Sequence, residues 1–278
     1  MTPGMKTRAS FHVGYHFTLR AHFPHAPLRN QSLCVDAWCL LREKFPDAHS
    51  AALMPTHVHL ICPRGDIDDL KKRWSSFQAF LSRRYGKSVF ESPDEPEIIP
   101  NVQHLSRQIR YVHLNPCRDR LCGDPLEWEW STHRDYLGAV ADPWPRVDQT
   151  LRLLGFSPPR EAVRLFHAYV SGDPSVDPRG TSTPYPKIGS LLMDLSSAQR
   201  AASLALRIEN SSLVSRGRVR TMTIRALNHE FEISNLSLGQ HFKVHPTALS
   251  RGPELSAQEL ALGKAIRLIL SDPRLLTP

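Results

Sequence analysis

The stretch that decides the fold is LMPTHVHLIC, residues 53–62. Pro55 and Thr56 interrupt two apolar segments and predict a turn, so the flanking residues are expected to form a hairpin. Side chains alternate between the two faces of a strand, which places His57 and His59 on the same face. Two adjacent imidazoles can chelate a divalent ion and leave coordination positions open for water or a phosphate oxygen. Because the chain has 14 histidines, such a pair also arises by chance, and a metal site needs further support.

A second stretch, LSRQIRYVHLN at residues 105–115, has the periodicity of an amphipathic helix. Its apolar stripe follows the i, i+4, i+7 pattern and consists of Leu105, Ile109 and Val112. A neighbouring face carries polar side chains at roughly helical spacing, namely His104, Gln108, Tyr111 and Asn115. Asn115 lies one turn after Tyr111, and Pro116 is expected to stop the helix. A phenol, an amide oxygen and the histidine pair are therefore candidates for one site.

Residues 11–20, FHVGYHFTLR, predict the first strand of the sheet. Every second residue is apolar, and this face consists of Phe11, Val13, Tyr15, Phe17 and Leu19. The opposite face carries His16 and Arg20. These two side chains either approach a bound phosphate or belong to an ordinary solvated strand face, and the sequence favours neither interpretation.

The segments between these stretches predict an α+β fold. Residues 30–44 and a long segment from Asp66 to about Tyr85 have helical patterns, and residues 48–53 have a strand pattern. The order strand–helix–strand–strand–helix suits an antiparallel-rich sandwich. An acidic, proline-rich loop is expected at residues 91–100. The outer surface of the long helix is basic. It either contacts a DNA backbone or is an ordinary solvated helix face. Its basic residues are Lys71, Lys72, Arg73, Arg83 and Arg84.

Together the two motifs resemble those of the single-tyrosine HUH transposases, and most closely the REP-associated tyrosine transposase branch. The resemblance rests on MPTHVHL at residues 54–60 and RYVHLNP at residues 110–116, followed by Arg118 and by Trp130-Ser131. It covers about residues 11–138. Relatives usually have a Gly-rich segment with Trp and Arg before the tyrosine helix. This chain has ESPDEPE at residues 91–97 instead, a difference that bears on substrate preference.

The resemblance implies a ferredoxin-like antiparallel sheet with helices on one side, forming an HUH nuclease domain. It implies a Mg²⁺ or Mn²⁺ ion on His57 and His59, with Asn115 as a candidate third ligand. Tyr111 would attack a single-stranded DNA phosphate, leaving a 5′-phosphotyrosine and a free 3′-OH. The basic residues expected to contact DNA in this half are Arg20, Lys71, Arg83, Arg84 and Arg118.

The length of 278 residues suggests about two domains. We expect a nuclease domain at 1–140, a helical extension at 141–172, a linker at 173–187 and an all-α DNA-binding domain at 188–278. The linker is rich in Pro, Gly, Ser and Thr. Residues 236–251 resemble a helix-turn-helix, in which the second helix enters the major groove. The residues expected to face DNA there are Thr247, Ser250 and Arg251.

Charge and cysteine content bear on the kind of binding partner and on the cellular compartment that we expect for the protein. The chain has 35 Lys and Arg against 27 Asp and Glu, a net charge of +8 that gives weak support for a polyanionic partner. Its five cysteines lack CxxC spacing, which favours buried, reduced thiols in a cytoplasm over a zinc site. No apolar run approaches the roughly 20 residues needed to span a membrane, and no secretory signal is evident.

Three functional hypotheses follow. The first is a metal-dependent single-stranded DNA endonuclease and strand transferase, a transposase acting on hairpin-forming repeat DNA as a monomer or homodimer. The second is a catalytically silent, sequence-specific DNA-binding regulator, against which the presence of His57, His59, Tyr111 and Asn115 argues. The third is a metal hydrolase that uses the histidine pair and an activated water, with Tyr111 purely structural.

Overall fold

A single antiparallel sheet lies at the centre of the first half of the chain. The computed structural model describes residues 12–85, 89–92, 94–157, 159–172, 183–187, 189, 194–215, 217–249 and 254–277. Its strands are β1 (Gly14–Arg20), β2 (Ser50–Leu53), β3 (His57–Pro63) and β4 (Glu97–Ile99). They pair in the order β2-β3-β1-β4, with every neighbouring pair antiparallel. The first helices are α1 (Gln31–Lys44), α2 (Ile67–Tyr85), α3 (Val102–Arg118) and α4 (His133–Leu137).

The predicted hairpin joins β2 to β3. Met54 and His57 exchange backbone hydrogen bonds of 2.8 and 3.3 Å across the Pro55-Thr56 turn. This turn pairs Leu53 with Val58, so the register of the hairpin is fixed by its loop. The expected alternation of the histidine strand is therefore confirmed.

One face of the sheet is apolar and is covered by α1 and α2. The residues of this core include Phe17, Leu19, Val58, Leu60, Trp38, Leu41, Trp74 and Phe77. The element order β1-α1-β2-β3-α2-β4 and this strand order are those of a ferredoxin-like sheet, with both crossover helices on one side as predicted. The α+β class is thus confirmed, although Phe11, the predicted start of β1, lies outside the described residues.

The opposite face of the sheet is covered by α3, the helix that follows β4. Leu105, Ile109 and Val112 of α3 are fully buried against Ala52 and Ile61 of the sheet. Helices therefore lie on both faces of the sheet, and the polar flank of α3 is held beside the histidine strand.

Two local predictions were wrong. Residues 91–100 are not entirely a loop, because β4 forms within them and pairs with Gly14–His16 of β1. A three-residue edge strand between Pro96 and Pro100 has too few alternating residues to be recognised from sequence. Pro116 also does not stop α3, which continues to Arg118. A proline in the last turn removes one backbone donor, and the next bond, from Asp119 N to Asn115 O, still forms at 2.9 Å.

The second half of the described chain is all α, as predicted. Two helices, α5 (Val147–Leu153) and α6 (Pro159–Gly172), extend the cover over α3, with Phe166 and Val170 fully buried in the same core. The remaining helices are α7 (Leu195–Leu206), α8 (Asn210–Val214), α9 (Arg218–Phe231), α10 (Asn235–Phe242) and α11 (Ala257–Ser271). None of the helices described here is long and apolar enough to cross a membrane.

The predicted helix-turn-helix at 236–251 is seen only in part. Its first helix corresponds to α10, and the connection closes tightly, since a Cβ at Gly239 would lie 2.6 Å from the Val244 carbonyl oxygen. Pro246–Ala248, where the second helix was expected to start, forms only a 3₁₀ turn. Ser250 and Arg251 lie outside the described residues. A start at Pro246 fixes one backbone angle but does not supply the packing that an α-helix needs.

The predicted linker is described only at its end. Residues 173–182 lie outside the described part, whereas 183–187 are held against the protein. Thr183 bonds to His167 at 3.1 Å, and the Tyr185 hydroxyl donates to the Leu137 carbonyl at 3.2 Å. The predicted domain boundaries stay a prediction.

A buried arginine joins the C-terminal helices to the first half of the chain. Arg207, at the end of α7, forms an ion pair of 2.8 Å with Asp135, whose side chain is fully buried. Its guanidinium also donates to the Glu129 and Ser131 carbonyls at 3.2 and 2.9 Å and lies 4.4 Å from the centre of the Trp38 ring. Removal of one partner leaves the other charge buried and unpaired.

We therefore expect Arg207→Ala to reduce the free energy of unfolding by about 3–5 kcal/mol. Arg200→Ala, an exposed position on the same helix, is the matched control and should change it by less than about 0.5 kcal/mol. Urea denaturation followed by circular dichroism measures both. Equal stability of the two variants would contradict the role given to Arg207.

Four histidines away from the histidine pair are buried in the packing around α3. His113, His133 and His167 form a chain of ring-nitrogen contacts of 3.3 and 3.2 Å, and His49 contacts Thr150 at 3.1 Å. Burial lowers the pKa of His49 to about 4 and that of His113 to about 3. Burial also lowers the pKa of His133 and of His167, and neighbouring histidines contribute to the shift at His133. The folded protein thus keeps these imidazoles neutral.

We expect the free energy of unfolding to fall as the pH drops below about 6.5. These histidines bind protons in the unfolded chain at that pH, whereas they stay neutral in the folded protein. The slope reaches about 1.4 kcal/mol per pH unit for each histidine, and above pH 7 this contribution is flat. His113→Gln should make the slope between pH 6 and pH 4 shallower, whereas His22→Gln, at an exposed position, should not. Unchanged slopes in urea titrations of His113→Gln would contradict this account.

Candidate active site

The register of β1 on β3 gathers polar side chains on one face of the sheet. Thr18 pairs directly with His59, and Arg20 pairs with His57. His16, two residues before Thr18, is a diagonal neighbour of His59, and diagonal pairs on one face lie within reach of ring side chains. Only 7% of His16 is exposed, so the interpretation of this strand face as solvated does not hold at His16.

Helix α3 brings the predicted phenol and amide to the histidine pair. The Asn115 amide nitrogen lies 2.8 Å from His59 Nε2, and Asn115 is 3% exposed. The Tyr111 ring centre is 5.6 Å from that of His59, and the rings of His57 and His59 are 4.8 Å apart. The four residues that the sequence nominated as one site are therefore adjacent.

Both histidines of the pair favour the neutral state. Desolvation by burial lowers the pKa of His57, and the positive charge of Arg20 acts in the same direction while Asp119 opposes it. Burial lowers the pKa of His59 still further, with His16 and His57 adding to the shift. A neutral imidazole has a free nitrogen lone pair, which is what a metal ligand requires.

A carboxylate that sequence analysis did not nominate completes the site. Glu97 of β4 pairs with His16 of β1, and its carboxylate lies 3.7 Å from His16 Nδ1. From α3, Gln108 donates to the Glu97 carboxylate at 3.1 Å, and His104 lies 3.3 Å from it. No pattern in the sequence signals this contact, because it depends on the edge strand β4.

Part of this site lines an open cleft of about 670 Å³, whose walls include His16 and His59 but not His57 or Asn115. His59 and Tyr111 lie in its walls, together with Arg20 and with Tyr169 from α6. Further charged residues line the cleft, namely Arg107, Asp94, Glu95 and Glu97. Tyr169 could not be assigned from sequence either, since its placement follows from the packing of α6 on α3.

Arg118 lies beside the tyrosine. Its guanidinium carbon is 5.1 Å from the centre of the Tyr111 ring, and Arg118 lies about two helical turns after Tyr111 on α3. A guanidinium at this position can contact a phosphate next to the phenol, because its planar donors match phosphate oxygens.

The residues around the histidine pair provide few ligands for a divalent metal, and most of these ligands are nitrogen atoms. In the residues that the structure describes, no group of three or more His, Cys, Asp or Glu side chains is arranged to hold a metal ion. His57 and His59 offer two imidazole nitrogens. Asn115 would offer its amide oxygen by turning its nitrogen, which faces His59 Nε2 here, away from the ring. Nitrogen ligands suit Mn²⁺ better than Mg²⁺, which prefers oxygen.

The other predicted DNA contacts are dispersed. Lys71 forms an ion pair of 2.5 Å with Glu95, a residue of the cleft. Arg83 and Arg84 are exposed at the end of α2, which packs on the opposite face of the sheet, and Arg84 pairs with Asp36. Thr247 is exposed on the 3₁₀ turn after α10. Arg20 and Arg118 are thus the predicted basic residues closest to the histidine pair and Tyr111.

Comparisons with known proteins give one structural similarity. No family model matches the chain, and no curated protein matches it significantly. A solved structure of a REP-associated tyrosine transposase bound to a REP hairpin is similar to it at 21% sequence identity and a TM-score of 0.40. The similarity covers 48% of this chain and 84% of that chain. At this level the similarity does not assign a function, which has to be inferred from the site.

Proposed function

We propose that the protein is a metal-dependent single-stranded DNA endonuclease and strand transferase of the transposase type, in which Tyr111 is the nucleophile. The observation that carries this proposal is the position of Tyr111 in the wall of an open cleft, 5.6 Å between ring centres from a histidine that Asn115 contacts. The sequence resemblance to single-tyrosine HUH transposases involves the same four residues. DNA with hairpin-forming repeats is the proposed substrate.

His57, His59 and Asn115 are the residues that would hold the ion, with Mn²⁺ favoured over Mg²⁺ by the donor set. A divalent cation bound there supplies Lewis-acid polarisation of the scissile phosphate. The neutral state of both imidazoles at pH 7 supports this role, since a protonated histidine cannot bind a metal.

Tyr111 would perform the covalent step. Its phenol oxygen attacks the phosphorus, the bond from phosphorus to the 3′ oxygen breaks, and a 5′-phosphotyrosine forms. The phenol loses a proton and the departing 3′ oxygen gains one, so the step is balanced in protons. Because the phosphodiester energy is kept in the new bond, attack by a 3′-OH reverses the step without ATP.

The basic side chains around the cleft would bind the DNA backbone. Arg20 and Arg107 line the cleft, and Arg118 lies beside the tyrosine. Guanidinium groups fix the register of a nucleic acid without reading its bases. Lys71, Arg83, Arg84 and Thr247 are proposed as more distant DNA contacts.

We expect a covalent protein–DNA species when the protein is incubated with Mn²⁺ and labelled single-stranded hairpin oligonucleotides from the DNA beside its own gene. Tyr111→Phe removes the nucleophilic oxygen and should abolish the adduct, and so should a chelator. Tyr169→Phe, a second tyrosine of the cleft, is the matched control and should form it. Denaturing gel electrophoresis detects the species.

The variants also separate this proposal from its alternatives. Cleavage that persists in Tyr111→Phe would identify a hydrolase that uses water. Tight DNA binding without cleavage or adduct, in the wild-type protein and with several flanking sequences, would identify a regulator.

A further inference from the structure

A chain of polar contacts joins His59 to two other residues of the cleft wall, His16 and Glu97. His59 Nδ1 lies 3.0 Å from His16 Nε2, and His16 Nδ1 faces the Glu97 carboxylate at 3.7 Å. On the other side of the ring, His59 Nε2 receives the Asn115 amide at 2.8 Å. Both nitrogens of the His59 ring are therefore engaged by different partners.

One assignment of donors and acceptors fits the contacts of this chain. Glu97 is an acceptor when ionised and favours a proton on His16 Nδ1, which leaves His16 Nε2 as an acceptor. His59 Nδ1 must then carry the proton that it donates to His16. His59 Nε2 is left with its lone pair, which accepts from the Asn115 amide here and would bind a metal in place of that N–H.

We propose that His16 and Glu97 are positioning residues that hold His59 as the Nδ1-protonated tautomer, so that its Nε2 lone pair points to the metal position. This inference rests on the proposed function for the identity of the bound ion. A ligating histidine commonly donates its second ring N–H to a partner that fixes both the tautomer and the orientation of the ring. Here that partner is a second imidazole, itself oriented by a carboxylate.

The packing around the chain supports a positioning role. His16 is 7% and His59 2% exposed, so water does not compete freely for their ring nitrogens. Glu97 is half exposed but is anchored by Gln108 and His104 from α3 and by pairing of β4 with β1. The short strand β4 thus places a carboxylate next to His16 Nδ1, on the side of that ring away from His59.

The first readout is the tautomer of His59 at pH 7.5 without metal. Long-range ¹H–¹⁵N spectra of ¹⁵N-histidine-labelled protein report which ring nitrogen carries the proton, and His59→Gln assigns the signals. We expect Nδ1 to be protonated in the wild type. His16→Leu removes the acceptor and should shift His59 towards the Nε2-protonated form, whereas His16→Gln can accept and donate as His16 does and should keep the wild-type tautomer.

The second readout is the dissociation constant for Mn²⁺ without DNA, measured by isothermal titration calorimetry. His16→Leu should weaken binding by about 10- to 100-fold, the usual effect of losing such a partner. His16→Gln should bind as the wild type does. His104→Gln, which can still donate to Glu97, is the matched control and should change neither readout.

The outcomes distinguish the positioning role of His16 and Glu97 from the metal binding of the proposed function. An Nε2-protonated His59 in the wild type, or an unchanged tautomer and Mn²⁺ affinity in folded His16→Leu, would overturn the positioning role. A wild type that binds no Mn²⁺ but loses the Nδ1-protonated tautomer in His16→Leu would support the positioning role and contradict the metal part of the proposed function. Circular dichroism verifies that each variant is folded.

Discussion

The site depends first on the antiparallel pairing of β1 with β3. This register sets Thr18 opposite His59 and brings His16 within 3.0 Å of the same ring. A slip of one residue would turn every one of these side chains to the other face of the sheet. The start of the pairing demands glycine, because a Cβ at Gly14 would lie 2.3 Å from the Cys62 carbonyl oxygen. The hydrogen-bond ladder therefore determines the chemistry of the cleft.

One face of the sheet forms the hydrophobic core, and the other face carries the side chains of the candidate site. One face packs an aromatic and aliphatic core under α1 and α2, whereas the other packs partly against α3 and partly lines the cleft. Burial next to the cleft has an electrostatic consequence, because it keeps His57 and His59 neutral. The same desolvation acts on the histidines packed behind α3. The fold thus combines a core rich in histidine with a site that needs unprotonated imidazoles.

Local patterns predicted the parts of the site that lie within one element. Alternation placed His57 and His59 on one strand face, and helical spacing placed Tyr111 and Asn115 on one side of α3. The order of these elements predicted an antiparallel-rich α+β sandwich, and the resemblance to single-tyrosine HUH transposases implied its ferredoxin-like form. Glu97 could not be predicted as a site residue, because an edge strand of three residues is too short to show an alternating pattern. The helix-turn-helix prediction rested on spacing without knowledge of packing, and the described residues show a 3₁₀ turn where its second helix was expected to start.

The central claim is that one phenol of this cleft becomes bonded to DNA. The most direct measurement is mass spectrometry of peptides from the protein–DNA adduct after nuclease and protease digestion. The account predicts a phosphonucleotide on the peptide containing Tyr111, attached through the tyrosine oxygen. A modified residue elsewhere, such as Tyr169, or adducts whose mass excludes a phosphotyrosine bond, would contradict it.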